Sequence, residues 1–323
     1  MRAYSALLLA FAASAVTASP LSSRQQQQQA QNDNPFTSWK KEGGSVAIDA
    51  TKETKAKFSW LDFTPVTNDF SCKSTVHPNP IILLHALFVS KDLDLNFFQN
   101  WLKAQGYCTF STNYGFIDGI PLGGVRPVNE SSREVADFIH EVVEKTGASK
   151  VDLVGHSEGG LQALYVAKFR NVSHVIDKIV TIASPTHGTT AGGAYNIATA
   201  LGKGFEELVN TLLKGVGCAA CADFLTGSPV ITELTTGPIV QPGNDVTVLA
   251  SRFDTVATPP RTGFITEPGV ENYFVQDFCP ADLVGHVGLA IDKNVWYIVR
   301  NALDGDAKKK VQCGLSGLPF RRH

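Results

Sequence analysis

The residues best suited to chemistry in this sequence surround Ser157, in a segment that reads VDLVGHSEGG from position 151 to 160. A short run of strand-forming residues leads into this segment, and an apolar helical run follows it. Gly155 and Gly159 lie two residues before and two residues after the serine, so neighbouring backbone can pass without meeting a Cβ atom. This pattern predicts a serine held on a sharp turn at the carboxyl end of a strand, with its hydroxyl exposed as a nucleophile.

A serine hydroxyl is a poor nucleophile at neutral pH, so it needs a base to take its proton and an acid to orient that base. In folds that hold a serine on such a strand–turn–helix segment, the acid follows the serine along the chain and the histidine follows the acid. His286 follows the last predicted strand and is the predicted base. Asp254 follows the carboxyl end of the strand predicted at 245–251 and is the predicted acid, with Asp282 as the alternative. The other histidines after the serine lie at the wrong edge, too early in the chain, or at its end: His174, His187 and His323.

Two backbone N–H groups are needed to stabilise the negative oxygen that forms when the serine attacks a carbonyl group. The residue directly after the nucleophile, Glu158, should supply one of them. The loop after the first predicted strand should supply the other, from Leu87 or alternatively from Ala86. His85 and His156 flank these donors, and we expect both to be hydrogen-bonded structural histidines.

Strand and helix patterns alternate from Pro80 to Ala183, which predicts a doubly wound, mostly parallel α/β sheet. The spacing of Ser131 and Glu134 is that of a capping box and predicts a helix start, and Gly147 should end this helix. The alternation stops after Pro185, which predicts a helical cap insertion at about 188–240, either a lid or a helix packed flat on the core. Further elements are predicted as a helix at 97–105, strands at 107–114 and 272–277, and a closing helix at 292–303.

Length and charge restrict the class of protein. The chain has 323 residues, a net charge of −2 and a sequence pI near 6.4, so it has no basic surface signature for nucleic acid.

Residues 1–18 have the pattern of a secretory signal peptide, and residues 19–35 form a polar, Gln-rich leader that we expect to be disordered. Residues 36–323 then form one domain. No later stretch has about 20 apolar residues, so we expect a secreted protein without a transmembrane segment.

The six cysteines of an exported chain are expected to form three disulfides, whose pairing the spacing leaves open. Cys218 and Cys221 should form a short structural clip, because the strand context of a redox dithiol is missing. No second cysteine pair has the spacing of a zinc site, so no metal is expected. Asn129 and Asn171 begin N-glycosylation acceptor sequences.

Several segments together resemble the secreted class 2 triacylglycerol lipases and esterases, over roughly residues 70–305. They are PIILLHALF, GYC, TGASKVDLVGHSEGG, ASPTHGTT, the CxxC insertion, SRFD and GHVGL. The resemblance implies an α/β-hydrolase fold and hydrolysis of carboxylic esters, acyl glycerols included. We expect the protein to be a monomer that needs no cofactor. It assigns the nucleophile, acid and base to Ser157, Asp254 and His286, and the oxyanion donors to Leu87 and Glu158.

The resemblance also implies a disulfide pairing and leaves other functions open. The pairs are Cys72 with Cys108, Cys218 with Cys221, and Cys279 with Cys313. The chain departs from the family's usual residues at Ala86, where glycine is common, and at Glu158, where glutamine is common. The expected partner is an ester or lipid substrate, which a lipase would bind at a lipid–water interface. The alternatives are a carboxylesterase for short or specialised esters, and a secreted binding protein on an inactive hydrolase fold.

Overall fold

The computed structural model describes residues 66–118, 122–190 and 218–314. The predicted signal peptide and leader lie outside the described residues, as does the 191–217 part of the predicted cap insertion. The described residues contain the sheet, its flanking helices and the end of the predicted insertion.

The centre of the fold is a sheet of six strands, all parallel, in the order β2-β1-β3-β4-β5-β6. Alternate residues of β1 enter opposite cores: Ile82 and Leu84 face one core, and Ile81 and Leu83 face the other. A strand buried on both faces must be apolar throughout, which explains the continuous apolar run in the sequence. The strands are β1 (Ile81–Leu84), β2 (Thr109–Ser111), β3 (Val151–His156), β4 (Ile176–Ile182), β5 (Asp245–Ala250) and β6 (Glu271–Phe274).

Helices cover both faces of the sheet, which confirms the predicted doubly wound α/β architecture. Apolar side chains of α2 and α3 lie in one core, and those of α1 and α7 lie in the other. The helices are α1 (Asn96–Lys103), α2 (Val128–Thr146), α3 (Glu158–Phe169), α4 (Ala219–Asp223), α5 (Pro229–Thr235), α6 (Val275–Phe278) and α7 (Lys293–Leu303). The short 3₁₀ turns are Ser173–Val175, Pro260–Gly263 and Val287–Ala290.

The predicted start of α2 at Ser131 is wrong, because the helix begins at Val128. The Val128 N–H donates to the Asp223 carboxylate, 2.8 Å away, so a side chain from α4 satisfies an N–H that a local cap would otherwise bind. The Glu134 carboxylate accepts the N–H of Gly115 at 3.0 Å and does not fold back on its own helix. A tertiary contact therefore replaces the predicted capping box.

Other element ends follow from local hydrogen bonds. The predicted strand at 272–277 ends at Phe274, because the Asp277 carboxylate accepts the Phe274 N–H at 2.8 Å and starts the short α6. The predicted strand at 107–114 is shortened to β2. Gly147 ends α2 in the left-handed conformation, with φ at 70°, as predicted.

Three disulfides join Cys72 to Cys108, Cys218 to Cys221, and Cys279 to Cys313, the same pairs that the family resemblance implies. Both glycosylation acceptors are exposed: Asn129 lies in the first turn of α2, and Asn171 lies in the loop after α3. Within the described ranges, no helix is both long and apolar enough to cross a membrane.

Candidate active site

The turn between β3 and α3 holds Ser157 in an unusual backbone conformation, with φ at 53° and ψ at −115°. Its N–H donates to the Ile182 carbonyl at 2.7 Å, which fixes the turn against β4. A Cβ atom on Gly155 would lie 2.2 Å from the Gly159 backbone, and one on Gly159 would lie 2.1 Å from the Leu84 carbonyl oxygen. Such contacts are too short, so both positions need glycine, and the predicted strained turn is present.

The structure brings the predicted acid, base and nucleophile into one hydrogen-bonded line. His286 Nε2 lies 2.9 Å from Ser157 Oγ, and His286 Nδ1 lies 2.8 Å from Asp254 Oδ2. The other carboxylate oxygen of Asp254 accepts the N–H groups of Val256 and Ala257 at 2.8 and 2.9 Å. All three side chains are buried, with at most 7% of each residue exposed. This arrangement can carry a proton from the hydroxyl to the imidazole while the carboxylate holds the ring.

The alternative acid, Asp282, and the rejected histidine His187 have other hydrogen-bond partners. The carboxylate of Asp282 accepts the Val284 N–H at 2.9 Å and the Asn294 side-chain amide at 2.7 Å, and it makes no contact with the imidazole of the predicted base. His187 Nδ1 faces the Thr262 carbonyl oxygen at 2.9 Å. Both residues therefore hold loops and lie outside the hydrogen-bonded line.

The loop after β1 distinguishes the two candidates for the second oxyanion donor. The Ala86 N–H donates to the Asp94 carboxylate at 2.8 Å, and the Phe88 N–H donates to the Gly123 carbonyl at 2.9 Å. Between them, the Leu87 N–H has no acceptor among the described residues. Glu158 is the first residue of α3, so its N–H has no intrahelical partner either. The geometry therefore favours Leu87 over Ala86.

His85 holds the peptide that precedes Leu87. Its Nδ1 donates to the Ala86 carbonyl at 2.8 Å, while its Nε2 accepts the Tyr114 N–H at 3.3 Å. The Tyr114 ring stacks on the imidazole with centroids 4.1 Å apart. Burial lowers the pKa of His85 to about 4, so the ring is neutral and a single tautomer satisfies both bonds. His85 is a hydrogen-bonded structural residue, as expected.

Asp94 was not predicted from the sequence, although it contacts both the loop after β1 and the end of β3. Its carboxylate accepts the Ala86 N–H, and it also lies 2.9 Å from Nδ1 of His156. No motif identifies this residue, because SKDLDL reads as an ordinary polar loop. Only its burial, at 6% exposure, separates it from the neighbouring Asp92.

The Glu158 side chain lies against the site in a fully buried position. Its Oε1 accepts the Gln162 side-chain amide at 3.2 Å, and its Oε2 has no hydrogen-bond partner among the described residues. Burial, with a smaller contribution from Asp223, raises the pKa of Glu158 well above its ordinary value. This shift favours the neutral acid, and a neutral group there does not oppose an oxyanion.

The raised pKa of Glu158 leads to a prediction for Glu158→Gln. Because its folded pKa is raised, the contribution of the acid to folding is full below the unfolded pKa of about 4.3 and is lost as pH rises through the folded pKa. Glutamine has nearly the shape of the protonated acid and does not titrate. We expect the variant to unfold at a higher temperature than wild type at pH 8, with the difference vanishing near pH 4, in thermal unfolding scans.

Glu144→Gln, at an exposed position on α2, serves as the control and should leave the pH dependence unchanged. A Glu158→Gln protein with the same stability deficit at every pH would contradict the neutral-acid assignment.

Comparison with known proteins agrees with this fold. A family described as the α/β hydrolase fold matches residues 79–229, a range that contains Ser157 and ends before Asp254. The chain is similar to a triacylglycerol lipase of Pseudomonas fragi, 26% identical over 156 residues that cover 48% of this chain and 50% of that protein. It is similar to another of Pseudarthrobacter phenanthrenivorans, 30% identical over 118 residues, 34% of each chain.

Among solved structures, lipase B of Aspergillus fumigatus is similar, with a TM-score of 0.57 and 18% identity. That match covers 75% of this chain and 55% of that one. The matched regions thus span about half or less of the length of these two curated relatives. The parallel sheet, the serine on its strained turn and these matches together show that the chain has the α/β-hydrolase fold. Its sequence is similar to those of the two triacylglycerol lipases.

Proposed function

We propose that this protein hydrolyses carboxylic esters through an acyl-enzyme on Ser157, with acyl glycerols as its substrate class. The observation that supports this most directly is the line of hydrogen bonds from Asp254 through His286 to the Ser157 hydroxyl. The similarity to triacylglycerol lipases supports the choice of acyl glycerols among esters.

In the proposed reaction, Ser157 Oγ attacks the ester carbonyl carbon while His286 Nε2 takes the hydroxyl proton. The imidazolium then gives this proton to the departing alcohol oxygen as the bond from the carbonyl carbon to that oxygen breaks, leaving an acyl-serine ester. Water attacks the acyl carbon with the same histidine as base, and its proton returns to Oγ as the acid leaves. The Leu87 and Glu158 N–H groups would hold the oxyanion at each attack.

Secretion is part of the proposal. Three disulfides are usual for proteins of an oxidising compartment, and residues 1–18 have the pattern of a signal peptide.

Labelling with a fluorophosphonate tests the nucleophile. The hydroxyl displaces fluoride from phosphorus, so we expect one covalent phosphonyl group on the peptide that carries Ser157, detected by mass spectrometry. Labelling should need the folded protein, because a serine is reactive only when the histidine accepts its proton. A heat-denatured sample is the control.

A folded protein that stays unlabelled would overturn the proposal and favour a binding protein on an inactive fold. Release of fatty acid from an emulsified triacylglycerol by the same preparation tests the substrate class. Labelling with no such release, but with hydrolysis of short esters, would replace the lipase proposal with a carboxylesterase.

A further inference from the structure

Asp94 connects the two loops that the proposed reaction uses. It lies just before α1, in the connection from β1, and is buried. Its Oδ2 accepts the Ala86 N–H at 2.8 Å, and its Oδ1 faces His156 Nδ1 at 2.9 Å. Neither contact is local to a helix or turn of its own, so the carboxylate joins the loop after β1 to the end of β3.

His156 continues this connection to the base. Its Nε2 faces the backbone carbonyl oxygen of His286 at 3.1 Å, and the two imidazole rings lie 5.3 Å apart. A carbonyl oxygen and a carboxylate both accept, so both ring nitrogens of His156 must donate, which makes it an imidazolium. Burial lowers the pKa of His156, but Asp94, both hydrogen bonds and the Asp254 charge together raise it above its ordinary value.

The position of the Ala86 N–H matters for the oxyanion. Ala86 and Leu87 are consecutive, so the hydrogen bond that fixes the Ala86 N–H also limits the orientation of the Leu87 N–H. Asp94 binds the first and leaves the second free. A donor misplaced by about 1 Å can lower a rate by about 10²-fold.

We propose that Asp94 is a positioning residue: by binding the Ala86 N–H it fixes the loop that presents the Leu87 N–H to the oxyanion, and through His156 it holds the His286 backbone. This inference rests on the proposed ester hydrolysis. Asp94 touches neither the nucleophile nor the base side chain, so it acts only through its neighbours.

Two substitutions at position 94 separate geometry from charge. Asparagine can accept the Ala86 N–H with its oxygen while its amide donates to a neutral His156, whose Nε2 still donates to His286. Alanine accepts neither donor. The hydrogen bonds thus survive in Asp94→Asn without the negative charge, and they are lost in Asp94→Ala.

The test measures kcat and KM for a p-nitrophenyl ester, and Ki for an alkylboronic acid that forms a tetrahedral adduct on the serine. All assays are run well below each variant's unfolding temperature. For Asp94→Ala we expect kcat to fall about 10²-fold and Ki to rise in parallel, with KM within about threefold of wild type. Asp94→Asn should stay within about tenfold of wild type. Asp92→Ala, at a half-buried acid two residues away, is the matched control and should change none of these constants.

His156→Ala keeps the bond from Ala86 to Asp94 but removes the donor to His286, and it should show the same split between kcat and KM. If Asp94→Ala does not fold, the kinetics of His156→Ala test the inference in its place. A folded variant with wild-type kcat and Ki overturns the inference, as does an Asp94→Asn protein as impaired as Asp94→Ala. A wild-type protein that neither hydrolyses esters nor takes the fluorophosphonate overturns the proposed function instead.

Discussion

Replacing Ser157 with alanine is expected to lower kcat for ester hydrolysis by about 10⁶-fold, with the fold retained. The hydroxyl makes one side-chain hydrogen bond, to His286, so its loss removes the nucleophile and little stabilising contact. The residual rate should come from substrate binding and the two backbone N–H donors. Steady-state kinetics with a p-nitrophenyl ester, together with circular dichroism of the variant, measures both parts.

The same mechanism predicts that His286→Ala costs nearly as much, and that the double variant is no slower than either single one. Nucleophile and base act as a unit, so their losses do not add. Ser184→Ala is the matched control, because this buried serine follows β4 at the same sheet edge and its hydroxyl has no hydrogen-bond partner among the described residues. Its kcat should be that of wild type. Full activity in Ser157→Ala would assign the reaction to another residue.

The second large effect is expected for Asp254→Asn, at about 10⁴-fold in kcat. The N–H groups of Val256 and Ala257 both donate to Asp254 Oδ1, so the asparagine must place its only oxygen there. Its NH₂ group then faces His286 Nδ1, which must be unprotonated to accept. The ring proton moves to Nε2, which points at Ser157 and can no longer take the hydroxyl proton.

This prediction concerns the tautomer, so KM should change little while kcat falls. Asp282→Asn is the control: its carboxylate binds Val284 and Asn294, so the substitution should lower the unfolding temperature and leave kcat within about threefold of wild type. The reverse result, with a loss of kcat only in Asp282→Asn, would exchange the roles of the two acids.

Much of the architecture could be predicted because its causes are local. The apolar runs of β1 and β3 and the helical period of α2 each appear within a short window of sequence. The glycines beside Ser157 are equally local, since they reflect close backbone contacts around one turn. The start of α2 was not predictable in this way, because the acceptor of the Val128 N–H is Asp223, 95 residues later in the chain.

The sequence by itself determined the strained serine turn, the order of serine, acid and histidine, and the parallel sheet that brings their loops to one edge. These follow from residue types, spacing and the direction of consecutive strands. The tertiary structure alone decided which N–H after β1 is free, that burial raises the pKa of Glu158, and that Asp94 joins Ala86 to His156. Each of these depends on burial and on hydrogen bonds between residues far apart in the chain, and a local sequence pattern shows neither of them.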